Sequence, residues 1–334
     1  MSEIILNVED LRVSFDTYAG EVQAVRGASF YVKEGEVLAI VGESGCGKSV
    51  SAQTIMKLNP SPPCRIKSGK IDLCGIDIVN SDEHDMCGIR GRLVSMIFQD
   101  PMTFLNPTMK IGKQLTESIA IHRKINKEEA KAEALRLMKM VQIPNPELRI
   151  NQYPHQFSGG MRQRVIIAMA LSCQPKLLIA DEPTTALDVT IQAQIISLLK
   201  EINETEKTAV ILITHDLGVV ASLADRINVM YAGQIMEAGK VDDIFYNAKH
   251  PYTIGLLESL PTITTERSKK LIAIQGTPPN LLNPPSGCPF AARCRYAMAL
   301  CKNQQPEQFS ITNSHTAACW LLHPDCPKEI KGKK

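Results

Sequence analysis

The octet Gly42-Glu43-Ser44-Gly45-Cys46-Gly47-Lys48-Ser49 follows directly on the apolar run Val37-Leu38-Ala39-Ile40-Val41. No other feature restricts the fold of this chain as tightly. The pattern G-x-x-x-x-G-K-S needs a strand that ends at the loop and a helix that begins there. Its glycines let backbone N–H groups curl around phosphate oxygens, Lys48 reaches the β- and γ-phosphates, and the Ser49 hydroxyl can ligate Mg²⁺. The octet therefore predicts a nucleoside-triphosphate site at the end of a buried strand. Val37–Val41 is apolar throughout, as a strand covered on both faces should be. Leu177-Leu178-Ile179-Ala180 and Ala209-Val210-Ile211-Leu212-Ile213 repeat that character, with helical patterns between, so the core reads as α/β.

A second pair of groups belongs with the loop. Leu177–Ala180 ends in Asp181 and Glu182, two carboxylates where a further Mg²⁺ contact is needed. Asp181, at the strand end, suits the metal side, directly or through water. Glu182 points differently and can accept the proton of an attacking water. Upstream, Leu11–Phe15 and Ala28–Val32 alternate as short strands. Between 103 and 157 the character turns helical. Asn126 can cap a helix with Glu128 and Glu129 in its first turn, which puts Ala130, Ala134, Leu137, Met138 and Val141 on one core-facing side.

Composition excludes several classes. With 37 Lys+Arg against 35 Asp+Glu in 334 residues, the formal net charge of +2 argues against a general electrostatic grip on nucleic acid or anionic lipid. No apolar run reaches the roughly 18–20 residues of a membrane span, and the start Met1–Asp10 predicts no secretory signal. Ten cysteines then point to metal binding, not disulfides, wherever they cluster.

The order and spacing of six motifs resemble the nucleotide-binding subunits of ABC (ATP-binding cassette) transporters over residues 4–240. Besides the octet and Asp181-Glu182, Gln99 lies 51 residues after Lys48 and is similar to the Q-loop glutamine. Phe157-Ser158-Gly159-Gly160-Met161 is similar to the family signature, with Phe157 and Met161 standing where Leu and Gln are usual. Ala186-Leu187-Asp188 resembles the D-loop. His215, 33 residues after Glu182, resembles the switch histidine. The resemblance implies a P-loop NTPase (RecA-like) core with an N-terminal antiparallel β subdomain, an inserted helical signature subdomain and a small C-terminal accessory region. It implies ATP contacts at Gly42, Glu43, Ser44, Gly45, Cys46, Gly47, Lys48, Ser49 and Val50, and at Gln99, Ser158, Gly159, Gly160 and Asp188. It puts the adenine-stacking aromatic at Phe15, with Tyr18 as rival. Mg²⁺ would be held by Ser49, Gln99 and Asp181, and catalysis assigned to Glu182, His215 and Gln99. The implied working form is a head-to-tail pair, with ATP between the octet of one chain and Ser158–Gly160 of the other.

Domain limits follow: 1–102 with 158–239 as the ATP core, 103–157 as the helical subdomain, and 240–334 as the accessory region. In the last, Gly276–Pro285 reads as a Pro-rich linker, and so little hydrophobic patterning surrounds it that something must staple the region. His250-Pro251-Tyr252-Thr253, Leu256–Pro261, Gly276-x-Pro278, Gly287-Cys288-Pro289-Phe290 and Arg293-Cys294 resemble the tail of oligopeptide and dipeptide importers. Cys288, Cys294, Cys301 and Cys319 are separated by five, six and seventeen residues, with Cys326 left over. Four thiolates in that span can wrap one metal centre, and spacing alone leaves Zn²⁺ and iron–sulfur open. The resemblance favours a [4Fe–4S] cluster; among the residues themselves, His315 is an alternative ligand and Cys326 an alternative to Cys319. The scattered Cys46, Cys64, Cys74, Cys87 and Cys173 read as small hydrophobes.

The resemblance implies an ATPase that energises import of dipeptides, oligopeptides or nickel chelates. It would sit peripherally on the cytoplasmic face of a bacterial inner membrane. Its partners would be two permease subunits, a second ATP-binding subunit (related or identical) and an extracytoplasmic peptide-binding protein. A soluble mechanochemical ATPase on DNA or ribosomes is disfavoured by the single cassette, the lack of sustained heptads and the lack of a basic stripe. A metal-dependent regulatory module that binds ATP only for switching is disfavoured by Glu182 and His215.

Overall fold

A computed structural model describes residues 3–98, 104–185, 187–260 and 274–326. The N-terminal layer is an antiparallel sheet. β1 (Ile4–Thr17) and β2 (Gly20–Lys33) form a hairpin, β3 (Val37–Val41) leaves for the core, and β4 (Cys64–Leu73) and β5 (Ile76–Asp77) complete the sheet in the order β2-β1-β4-β5. Each hairpin arm runs 14 residues, much further than the alternation at Leu11–Phe15 and Ala28–Val32 suggests. Register shifts between Val8 and Leu11 and between Val13 and Phe15 interrupt the period-two pattern without ending the strands, which hides their length from the sequence.

The central sheet holds β6 (Val94–Ile97), β7 (Leu177–Asp181), β8 (Ala209–Thr214), β3 and β9 (Arg226–Tyr231), paired in parallel in that spatial order. Successive side chains of these strands go to opposite faces. Leu177, Ile179, Ile211 and Ile213 pack with the antiparallel layer. Leu178, Ala180, Val210 and Leu212 pack with the helical segment. That two-sided burial is why the runs read as continuously apolar.

The helical segment joins the sheet through one shared core. Asn126 accepts from the Glu129 N–H and closes a capping box on the helix Lys127–Met140, which buries Ala130, Ala134, Leu137 and Met138. These meet the helix Ile111–Arg123 and the helix Gly159–Ala170, whose Val165 and Ile167 are fully buried.

The tail extends the same sheet. β10 (Gln234–Lys240) turns back antiparallel on β9, and the two-residue strands β11 (Phe309–Ser310) and β12 (Thr316–Ala317) add to its edge. Tyr231, Met236, Tyr252, Phe290, Cys288 and Cys301 share one buried cluster with Ala39 and Val41 of β3. The Pro-rich stretch expected as a linker lies against β2: the Gln23 N–H donates to the Leu281 carbonyl (3.0 Å) and Arg26 Nη2 to the Pro285 carbonyl (3.1 Å). Among the described residues, no helix is long and apolar enough to cross a membrane.

Candidate functional site

The octet forms the turn between β3 and the helix Lys48–Ile55. Two of its glycines are obligatory. Gly42 has φ +153°, and a Cβ there would come within 2.1 Å of the Met230 carbonyl; at Gly47, φ +101°, it would come within 2.5 Å of the Ala24 carbonyl. Lys48 is buried, and its ammonium donates to the carbonyls of Gly42 (2.8 Å) and Glu43 (3.0 Å), so it lies curled over the concave side of the loop. Val50 continues the helix, half-buried.

The ends of β7 and β8 bring the acidic and histidine groups to this loop. Ser49 Oγ donates to Asp181 Oδ1 at 2.9 Å, a contact across 132 residues of chain. Burial raises the Asp181 pKa, an effect the Ser49 hydroxyl and Lys48 oppose. Glu182 has φ +47°, a left-handed conformation that costs a non-glycine residue of order 1 kcal/mol and turns its side chain out of the strand pleat. Its carboxylate accepts from Thr185 Oγ1 at 2.9 Å and faces His215 Nδ1 at 3.4 Å. The Glu182 side chain is 18% exposed and that of His215 66%, so the carboxylate is enclosed and the imidazole faces open space. Thr185, which orients Glu182, carries no sequence signal of its own, and Asp216, which caps the helix Leu217–Leu223 directly after His215, has only that of an N-cap Asp.

The other expected residues lie elsewhere. Ser158 caps Gly159–Ala170, accepting from the Met161 N–H at 3.4 Å. A Cβ on Gly160 would come within 2.7 Å of Ile191, so the signature turn packs on the helix Val189–Glu206, whose N-cap is Asp188. Phe15 is half-buried against the antiparallel core, and Tyr18 is exposed at the hairpin tip. Gln99 and Ala186 lie outside the described residues.

In the tail, Cys288, Cys301, Cys319 and Cys326 are buried and Cys294 is half-buried. Gly287 has to be glycine, because a Cβ would come within 2.3 Å of the Cys301 carbonyl. That close approach lets the Cys288 N–H donate to the same carbonyl at 2.8 Å. Burial pushes the Cys288 and Cys319 thiols up to about 12 and raises Cys294. Backbone N–H groups oppose it: Phe290 and Ala291 at Cys288, Tyr296 at Cys294, Leu321 at Cys319. Cys319 feels the charges of Cys288, Cys294 and Cys301, so the four lie in one neighbourhood. Among the described residues, the only three His, Cys, Asp or Glu ligand atoms within 4.8 Å of one another belong to exposed Asp82, His84 and Asp85. His315, weighed as a stand-in ligand, is otherwise engaged: its Nε2 lies 2.7 Å from Glu237 Oε1, both side chains being buried.

Comparison with known proteins places the chain in a family. Residues 25–185 match the ABC transporter family, and residues 236–301 match the C-terminal region of oligopeptide/dipeptide transporters. The chain is 59% identical to the oligopeptide transport ATP-binding protein OppD of Bacillus subtilis, over 97% of this chain and 90% of that one. It is 56% identical to the dipeptide transport ATP-binding protein DppD of the same organism, over 96% and 95%. A solved dimer of an ATP-binding cassette, in a post-hydrolysis state with ADP and Pi, superposes with a TM-score of 0.64 at 27% identity, over 71% of this chain and 98% of that one.

Proposed function

This chain belongs to the ATP-binding subunits of the oligopeptide/dipeptide ABC transporters, and from that premise we propose how its residues divide the work. It is an ATP-hydrolysing subunit of a peptide ABC importer. The observation that carries the site assignment is the convergence of Lys48, Ser49, Asp181, Glu182 and His215 at the ends of β3, β7 and β8. Glu182 takes the proton of the water that attacks the γ-phosphorus as the bond to ADP breaks. His215, the more exposed of the two, holds the γ-phosphate and that water. Lys48 and the loop N–H groups, from Gly42 to Val50, hold the phosphates, and Phe15 stacks the adenine. Ser49, Asp181 and Gln99 would hold Mg²⁺; a hydroxyl 2.9 Å from a carboxylate is a hard oxygen pair that suits it. When bound, the ion neutralises charge on the β- and γ-phosphates.

Ser158, Gly159 and Gly160 act in trans, closing on ATP held by a second ATP-binding subunit, while Asp188 lines the joint. The ATP core is 1–102 with 158–239, the helical subdomain 103–157 and the accessory region 240–334. Two permease subunits receive the closure at the cytoplasmic face of the bacterial inner membrane, and an extracytoplasmic binding protein delivers the peptide. The test is transport by the assembled complex. Peptide uptake that stops with Lys48→Ala supports the assignment, and uptake that survives it sinks it.

Cys288, Cys294, Cys301 and Cys319 hold a [4Fe–4S] cluster that staples the tail. Backbone N–H groups aimed at three of the sulfurs suit thiolates on such a cluster. A tetrahedral Zn²⁺ site with Zn–S bonds of about 2.3 Å needs sulfurs roughly 3.8 Å apart. Among the described residues no three of these thiols fall within 4.8 Å of one another, so a Zn²⁺ ion would have to draw them in. Iron, sulfide and zinc analysis of protein purified without oxygen decides it: about four irons and four sulfides support the cluster, and one zinc without sulfide replaces it.

A further inference from the structure

Arg293 joins the tail to the phosphate loop. Its guanidinium forks onto Glu43, with Nη1 to Oε2 at 2.7 Å and Nη2 to Oε1 at 2.9 Å. Its remaining N–H groups go to the Tyr231 hydroxyl (3.1 Å) and the carbonyls of Gln275 (2.9 Å) and Ile274 (3.3 Å). All five donors are used, and the side chain is 6% exposed, so the guanidinium has one position. Glu43 is the second residue of the phosphate loop. Its N–H donates to the buried Tyr252 hydroxyl at 2.9 Å, and its carbonyl accepts from Lys48.

A carboxylate in a loop built to bind anions opposes phosphate binding unless its charge is cancelled or turned aside. Arg293 cancels it and, through the fork, fixes where Glu43 stands. We propose that the cysteine-rich tail is a clamp on the phosphate loop, with Arg293 as the positioning residue that makes triphosphate affinity depend on a docked tail. Tyr231 and Tyr252, rings 4.6 Å apart, form the buried floor on which the clamp rests. The contacts of Gln23 and Arg26 with Leu281 and Pro285 hold the segment before Arg293 against β2, so the clamp is braced at both ends.

The proposal rests on the reading of residues 42–49 as the ATP loop. It is tested by titrating the full-length chain, purified without oxygen, with ATP, ADP and adenosine. Arg293→Met keeps the apolar stem and removes the fork. ATP affinity should fall about tenfold, ADP affinity less, and adenosine affinity not at all. In a Glu43→Gln background, adding Arg293→Met should change ATP affinity by less than about twofold, because no charge is left to cancel. Should Arg293→Met fail to fold, Arg293→Lys keeps a charge without the fork and should lose ATP affinity severalfold, again suppressed by Glu43→Gln. Undiminished affinity in the folded variant, a loss that persists in the Glu43→Gln background, or an equal loss for adenosine overturns the clamp. Lys48→Ala separates the two readings. If it loses ATP while Arg293→Met does not, the clamp alone is wrong; if it binds ATP normally, the loop reading is wrong.

Discussion

The ends of the parallel strands and the tail are held together by different physics. At the strand ends, backbone glycines and apolar burial close to the site do most of the work. Val37–Val41 and Leu177–Asp181 are buried without exception, and the polar groups they present follow immediately in sequence. The tail has two-residue strands and leans on polar contacts between residues far apart: Arg293–Glu43 across 250 residues and His315–Glu237 across 78. The first region can lose a reacting group and stay folded. The second should be weakened when a polar partner goes, even with its apolar cluster on Ala39 and Val41 intact.

That contrast is sharpest at two glutamates. Glu182→Gln should lower ATP turnover of the assembled transporter by roughly 10²–10⁴-fold. Chemical denaturation of the chain should hardly move. Turnover near wild type would remove the base from Glu182, and a large loss of stability would erase the distinction between the regions. Glu237→Ala should do the reverse. Its fully buried carboxylate accepts from the N–H of Lys249 (2.7 Å) and His250 (3.0 Å) and pairs with His315. Removing it leaves those partners uncompensated, at a cost of about 4 kcal/mol in denaturant. Turnover at saturating ATP should survive in the folded fraction.

A third substitution calibrates the core. Leu178 is fully buried between β7 and the helical segment, so Leu178→Ala should cost about 3 kcal/mol through lost burial and the cavity left behind. A cost below that of an exposed change would mean the sheet relaxes around the gap, and that apolar packing does not hold this region.

The same contrast governs what could be read in advance. The octet, the strand runs and the capped helix at Asn126 are local patterns, and the structure has them at those residues. Glu43 sits inside the octet, yet nothing in the octet announces its partner. Arg293 was visible only as the neighbour of Cys294. Glu237 has no sequence signal, because its carboxylate is held by the N–H groups of Lys249 and His250 and by the distant His315. A Pro-rich stretch reads as linker because proline removes the donors by which a segment docks. Here the carbonyls of Leu281 and Pro285 do the docking instead. Contacts specified by pairs of distant side chains leave no period and no spacing to find.

The smallest expected effect falls at the joint between the regions. His250 is buried, with Nδ1 accepting from the Tyr252 N–H at 3.0 Å as the cap of Pro251–Glu258. Its Nε2 has no hydrogen-bond partner among the described residues. Burial pushes its pKa down from 6.5 to about 4, against a weaker upward pull from Glu237. The folded ring is therefore neutral down to about pH 4, whereas in the unfolded chain it takes a proton near 6.5. Unfolding binds that proton, so this contribution is intact above 6.5 and is lost as pH falls towards 4. Between pH 7 and 5 the loss should be about 2 kcal/mol. His250→Asn keeps a capping side chain without the titration and should flatten that part of the pH profile. Parallel profiles for the two proteins would mean acid weakens the chain elsewhere. A flattened one would put its acid-sensitive point two residues from Tyr252, whose hydroxyl receives the Glu43 N–H of the phosphate loop.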